Sequence, residues 1–175
     1  MRQTRRVRKR QEQQKSQNTP TVEEVIDQIR AAFQGVQRGN GRSLQGAAEM
    51  DDYTECRCRG NARNHFTEAQ WDEIPAAKLE AFRDALFYFN DDDEGFRFYI
   101  PAFMIHSLQH PNILGSDVVF VLQNKRGSRI RTSGLTREQA LATVEFLRFM
   151  KEHNDCECKG LDFIERWATT AKFQP

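Results

Sequence analysis

The stretch from Glu94 to His106, which reads EGFRFYIPAFMIH, constrains the fold more than any other part of the chain. Pro101 lacks a backbone N–H and fixes φ near helical values, so it suits the first turn of a helix and disfavours helix at the residue before it. We therefore predict a short extended segment over residues 96–100, followed by a helix from Pro101 to about Gln109 that Pro111 closes. Each buried aromatic side chain removes roughly 150–250 Å² of surface from water. This stretch should accordingly lie at the centre of the fold.

The length and composition predict one domain. A chain of 175 residues with 38% hydrophobic residues and 13 phenylalanines can build one core of ordinary size. No apolar run approaches the roughly 18 residues that a membrane span needs, and the start lacks the apolar segment of a signal peptide. We therefore expect a cytoplasmic protein with no membrane partner.

The charge is divided unevenly along the chain. Residues 1–19 carry seven Arg and Lys side chains and one Glu, a net charge of +6, whereas the remainder carries −5. We predict a disordered basic tail over residues 1–20 and a single helical domain over residues 21–172. The basic side chains of residues 2–15 offer a nucleic-acid arm, since clustered Arg and Lys displace counterions from phosphates. The tail has no aromatic side chain to stack on bases, so we favour a solvated extension over nucleic-acid binding.

Hydrophobic periodicity and capping residues predict a series of helices. The segment DVVFVLQ, residues 117–123, fits either a strand or a helix, because its β-branched residues favour a strand and Ser116 is a residue type that can cap a helix. The other predicted helices are one capped by Thr21 that stops at Gly35, a short one from Ser43 through Met50, one from Pro75 to about Phe89, one capped by Thr136, and a final one over residues 161–171.

The sequence EGFRFYIPAFM resembles the core motif of an uncharacterised bacterial family of unknown-function domains, with the pattern Glu-Gly-aromatic-Arg-aromatic-Tyr-Leu/Ile-Pro-Ala-aromatic-Met. The resemblance covers most of residues 22–168. It implies a small, mainly α-helical domain, which favours a helix over residues 117–123, and it implies no activity. The fold class that we predict is therefore mainly α, a compact single-domain helical fold around the extended aromatic segment. The supporting matches are Ala32-Phe33, Asp51-Asp52, Trp71 with Ile74-Pro75, Leu135-Thr136, Gln139, Phe146-Leu147 and Trp167.

Two Cys-x-Cys pairs share the pattern acid, Cys, any residue, Cys, base, Gly. Cys56 and Cys58 form the first pair, and Cys156 and Cys158 form the second. Four thiolates are the ligands of a structural Zn²⁺ site if the fold joins the two loops, although Cys-x-Cys is tighter than the usual spacing. Four free thiols or disulfides between the loops are the alternatives, and an intracellular location argues against disulfides. Zinc bound by four Cys residues would be structural, because its coordination shell is closed.

A second candidate set is polar and includes three residues of the central stretch. It comprises Asp51, Asp52, Glu94, Arg97 and Tyr99. A buried Arg needs a partner, so Arg97 is predicted either to pair with Asp51 or Asp52 in the core or to hold an anionic ligand or a partner carboxylate together with Tyr99.

The sequence contains no nucleophile elbow, phosphate loop or zinc-protease helix motif. His106 and His110 lie one helical turn apart, which is a weak indication of a metal site. We therefore predict a binding domain or protein-interaction domain with an unknown protein partner. The alternatives are an enzyme of unknown reaction that uses the region of Asp51, Asp52, Arg97 and Tyr99, and nucleic-acid binding through the tail. A deep concave pocket with converging carboxylates would favour the enzyme.

Overall fold

The computed structural model describes residues 20–49, 68–89, 92–123 and 134–154. Within these ranges the chain forms α-helices and two 3₁₀ helices and contains no strand, so the prediction of a mainly α fold is confirmed. The basic tail, both cysteine pairs and the predicted final helix lie outside these ranges. The elements are α1 (Val22–Ala32), α2 (Leu44–Ala48), the first 3₁₀ helix (Trp71–Glu73), α3 (Ala76–Ala81), the second 3₁₀ helix (Arg83–Tyr88), α4 (Asp93–Gln109), α5 (Pro111–Gln123) and α6 (Arg137–His153).

Helix α1 begins and ends where its capping residues predict. The Thr21 hydroxyl accepts a hydrogen bond from the backbone N–H of Glu24 at 3.2 Å, and the Glu24 carboxylate accepts one from the Thr21 N–H at 2.8 Å. This reciprocal pair satisfies two N–H groups that would otherwise lack partners. Gly35 follows the helix with φ of 72°, a left-handed conformation that favours glycine. Thr136 and Gln139 form the same arrangement at the start of α6.

The segment from Pro75 to Phe89 differs from its prediction as one continuous helix. The α-helix ends at Ala81, Phe82 has φ of −112° and ψ of 27°, and the chain continues as the second 3₁₀ helix. A 3₁₀ helix has three residues per turn, so residues three positions apart lie directly above one another. Leu86 and Phe89 have this spacing, and both are buried. The tighter winding therefore directs both side chains into the core.

The prediction of an extended segment over residues 96–100 is wrong. Helix α4 runs from Asp93 to Gln109, includes all of these residues and carries Pro101 in its interior. The Asp92 carboxylate caps the helix by accepting a hydrogen bond from the Gly95 N–H at 2.9 Å. Two acidic residues in the first turn also interact favourably with the helix dipole. The helix therefore starts at this cap, and Pro101 is its ninth residue instead of its first.

Burial explains why α4 tolerates an internal proline. Pro101 cannot donate to the carbonyl of Arg97, and a proline in a helix interior costs about 3 kcal/mol or more. Phe96, Phe98, Ile100 and Phe103 are fully buried, and each contributes roughly 1.5–3 kcal/mol relative to exposure. Since α4 is buried on nearly all sides, the packing energy exceeds the local cost.

Helix α4 occupies the centre of the described fold. It packs against α5, α1, α3 and the first 3₁₀ helix, while α1 packs against α6 and α2 packs against the second 3₁₀ helix. Pro111 is the first residue of α5, so this helix starts earlier than Ser116, and the helical assignment of residues 117–123 is confirmed. Across the described ranges, no helix is long and apolar enough to cross a membrane.

Candidate binding site

Arg97 and Tyr99 do not share one pocket. They lie two residues apart on α4, which places their side chains about 200° apart around the helix. Arg97 Nη1 donates a hydrogen bond to the carbonyl oxygen of Gly134 at 3.1 Å, whereas the Tyr99 hydroxyl donates to Glu68 Oε2 at 3.1 Å. The two side chains thus connect α4 to different parts of the chain. Asp51 and Asp52, the predicted partners of Arg97, lie outside the described residues.

Tyr99 belongs to a buried polar cluster. Its hydroxyl bonds to Glu68, which also forms an ion pair with Lys78, and the two charged side chains are only 9% and 18% exposed. Burial raises the pKa of Tyr99 well above its ordinary value, and the charge and hydrogen bond of Glu68 raise this pKa further. Arg38 and a hydrogen bond with the Leu44 backbone oppose the rise. Tyr99 therefore remains protonated and serves as a hydrogen-bond donor that holds residue 68 against α4.

Glu94 contacts the loop between α1 and α2. Its Oε2 accepts a hydrogen bond from the Asn40 N–H at 2.8 Å, and Asp92 accepts one from the Arg42 N–H. Between these two bonds, Gly41 is buried so tightly that a Cβ there would lie 2.3 Å from the Gly95 nitrogen. Glu94 and Asp92 thus attach the loop to the first turn of α4.

His106 pairs with a carboxylate that the sequence analysis did not single out. Its side chain is 5% exposed, and its Nε2 lies 3.1 Å from Glu80 Oε1. The rings of His106 and His110 have centroids 4.8 Å apart, as their spacing of one helical turn predicts. Among the residues that the structure describes, no group of three or more His, Cys, Asp and Glu side chains could hold a metal ion. The four cysteines of the predicted zinc site lie outside that part of the chain.

Two adjoining clefts lie at the first 3₁₀ helix. The larger cleft has a volume of about 360 Å³ and the smaller about 170 Å³, and both have linings of mixed polar and apolar character. Arg30, Trp71 and Asp72 line both clefts, so the two spaces meet at these residues. The larger cleft is also lined by Gln34, Gln37 and Gln70. The smaller is also lined by Ile74, Leu79, Ala102, Ile105, His106 and Gln109.

Trp71 holds the walls of the clefts together. Its side chain is 5% exposed, and its indole N–H donates a hydrogen bond to the Phe33 carbonyl at 2.9 Å. Phe33 is the C-terminal cap of α1, one turn after Arg30. The bond thus fixes the end of α1 against the first 3₁₀ helix, whose second residue is Asp72. The floor of the smaller cleft comes from α4, where Ala102, Ile105, His106 and Gln109 share one face.

The sequence analysis missed this site because its residues belong to separate elements. From the sequence, Arg30 is an ordinary solvent-facing residue near the end of α1. Asp72 is an ordinary acidic residue in the first turn of a short helix. The sequence singled out Trp71 and Ile74 only as family matches and His106 only as a weak indication of a metal site. Three glutamines and a tryptophan form no motif that identifies a binding site.

The family comparison covers all the described elements. The sequence model of the family of unknown function DUF6714 matches residues 21–169. The chain belongs to the DUF6714 family. The prediction that the chain belongs to a family of unknown function is confirmed. The DUF6714 match begins at the residue that caps α1 and includes every residue that lines the two clefts. No curated protein and no solved structure is significantly similar to the chain.

Proposed function

We propose that this chain is a binding domain whose ligand occupies the two clefts at Trp71. The observation that carries the proposal is the larger cleft of about 360 Å³, which shares Arg30, Trp71 and Asp72 with the smaller one. Ligand pockets have volumes of about 300–1,000 Å³ and combine apolar walls with a few polar groups. The two clefts together have this character.

The polar residues of the clefts support a binding role. Arg30 and Asp72 are exposed, and neither forms an ion pair with another described residue. The side chains of Gln34, Gln37 and Gln70 contain both hydrogen-bond donors and acceptors. Because Trp71 fixes the surrounding backbone, these groups are presented on a defined surface and a ligand need not order the fold.

A fragment screen tests the proposal. The labelled chain is titrated with water-soluble carboxylic acids, amines and amides at millimolar concentration, and binding is followed by amide chemical shifts. We expect the shifts of binding fragments to cluster on the cleft residues and on the Trp71 indole N–H. Ala31 lines the larger cleft and Ala77 lines neither, and both are exposed on helices. Ala31→Leu should therefore weaken fragment binding, and Ala77→Leu should not. Fragments that bind only elsewhere, or equal effects of both variants, would refute the proposal.

A further inference from the structure

The charged residues that line the two clefts define a class of ligand. Among the described lining residues, the side chains that can carry a charge are Arg30, Asp72 and His106. The His106 side chain is 5% exposed, and its Nε2 lies 3.1 Å from Glu80 Oε1, so a carboxylate of the protein already engages it. Arg30 and Asp72 therefore supply the charges that remain for a ligand.

Arg30 and Asp72 line the same space but do not pair with each other. Both are exposed, both line both clefts, and neither forms an ion pair with any described residue. The nitrogen and oxygen atoms of an ion pair lie within about 4 Å, so a larger gap separates this guanidinium from this carboxylate. A ligand that bridges such a gap forms a hydrogen bond of about 2.9 Å at each end. The two groups can thus hold a ligand between them because they do not neutralise each other.

Opposite charges at one junction disfavour ligands that carry a single charge. A carboxylate is attracted by the Arg30 guanidinium and repelled by Asp72, and an ammonium group has the reverse balance. A zwitterion with both groups on one carbon atom is attracted by both side chains at once. Arg presents a planar set of donors that fits a carboxylate, and hydrogen bonds between charged partners are stronger than those between neutral ones.

The glutamines of the larger cleft can complete the hydrogen bonds of a zwitterion. An ammonium group has three N–H donors and a carboxylate has about four acceptor sites, so one charged partner for each leaves some of them unmet. Gln34, Gln37 and Gln70 line the same cleft as Arg30 and Asp72. Each amide side chain donates through its NH₂ group and accepts through its oxygen, and it can therefore serve either charged group of the ligand.

We infer that the clefts bind a free α-amino acid. Arg30 pairs with its carboxylate, Asp72 accepts hydrogen bonds from its ammonium group, and the glutamines meet the remaining donors and acceptors. Because both linings are of mixed polar and apolar character, the charges at the junction define the ligand class, and neither cleft is assigned to the ligand's side chain. This inference rests on the proposed binding function and adds its ligand class.

Free amino acids and their singly charged derivatives test the inference. The labelled full chain is titrated at neutral pH with alanine, leucine, phenylalanine, glutamine, glutamate and lysine, and amide chemical shifts report binding. Each amino acid that binds is compared with its amide, which lacks the carboxylate, and with its N-acetyl derivative, which lacks the ammonium group. We expect at least one amino acid to shift the Trp71 indole N–H. Both of its derivatives should bind about tenfold or more weakly, because each loses hydrogen bonds to a charged group.

Two matched pairs of variants assign the two charges. Arg30→Gln should abolish the preference for the amino acid over its amide and retain the preference over the N-acetyl derivative. Asp72→Asn should have the reverse effect. The controls are Arg137→Gln and Glu73→Gln, which replace exposed charged residues that line neither cleft and should retain both preferences. A variant that weakens the amino acid and both derivatives equally would show that its residue has only a structural role.

The outcomes separate the ligand class from the binding function. If no amino acid binds while other fragments still bind at the clefts, the amino-acid inference is wrong and the proposed function survives. If no compound of either kind binds at the clefts, both are wrong. A derivative that binds as tightly as its parent amino acid, or a control variant that acts like its partner, would overturn the assignment of the charges. A dipeptide that binds more tightly than the free amino acid would replace the amino acid by a peptide with free ends.

Discussion

Gly41 offers the sharpest test of how the loop between α1 and α2 meets the central helix. A Cβ at this position would lie 2.3 Å from the nitrogen and 2.6 Å from the Cα of Gly95. Both neighbours are backbone atoms of α4, so no flexible side chain can move aside. Gly41→Ala must therefore displace the loop by about 1 Å or more, since ordinary contacts between carbon atoms need about 3.5–4 Å.

The cost follows from the hydrogen bonds on either side of Gly41. The bond from the Arg42 N–H to Asp92 is partly buried, and a hydrogen bond to a charged group contributes about 1.5–3 kcal/mol. The bond from the Asn40 N–H to Glu94 is exposed and contributes less. Overpacking of a tight site adds roughly 1–3 kcal/mol, partly through the same displacement. We expect Gly41→Ala to lower the free energy of unfolding by about 2–4 kcal/mol in total.

Urea unfolding followed by far-ultraviolet circular dichroism measures this change. Gly35→Ala is the matched control, because Gly35 has φ of 72° but no atom within 4 Å of its Cβ position. Backbone strain alone should cost this control about 1 kcal/mol. In a double-mutant cycle, Gly41→Ala and Asp92→Ala should be non-additive, because both remove the Asp92 bond to the loop. A Gly41→Ala protein as stable as Gly35→Ala, or an additive cycle, would refute the close contact between the loop and α4.

Three further predictions concern Tyr99, Trp71 and the cysteines. Because the folded-state pKa of Tyr99 is raised, its contribution to stability is full below the unfolded-state value of 10.0 and is lost as the pH rises above it. The free energy of unfolding should therefore fall by up to about 1.4 kcal/mol per pH unit above pH 10. The Tyr99→Phe variant should show a smaller fall. If the stability of both proteins falls equally with pH, that result would count against the burial of this hydroxyl. Trp71→Phe should cost about 1–3 kcal/mol in urea unfolding, because the Phe33 carbonyl loses its buried donor, and unchanged stability would argue against this bond. If the two cysteine loops share zinc, the purified chain should contain one metal ion per molecule. Removal of the metal by a chelator, or the double substitution Cys56→Ser and Cys158→Ser, should then lower the melting temperature. An unchanged melting temperature of the double variant would contradict the zinc hypothesis.

The sequence predicted best those elements whose ends are specified locally. Thr21 and Thr136 each form the capping box that their neighbouring residues indicate, and Ser43 caps α2 through the Gly46 N–H. In each case the signal spans three or four residues and concerns hydrogen bonds within one turn. Such signals do not depend on how the rest of the chain packs.

The clefts could not be predicted in the same way, since no short segment contains them. Arg30 and Trp71 are far apart in the sequence, and the hydrogen bond from the indole to the Phe33 carbonyl joins their elements. The sequence does not indicate which distant donor will form a hydrogen bond with a carbonyl at the end of a helix. The site therefore depends on tertiary packing, which periodicity and spacing do not encode.

The conformation of residues 96–100 determines which face of the central stretch can form a site. In an extended segment, alternate residues share a face, so Arg97 and Tyr99 would point together towards one ligand. In the helix observed they point about 200° apart and bond to Gly134 and Glu68. The same helical winding gathers a different set of residues at intervals of three and four. Ala102, Ile105, His106 and Gln109 thereby line one wall of the smaller cleft. The helical winding at Pro101 thus separates Arg97 from Tyr99 and brings residues of the last two turns of α4 to the clefts where we propose that a ligand binds.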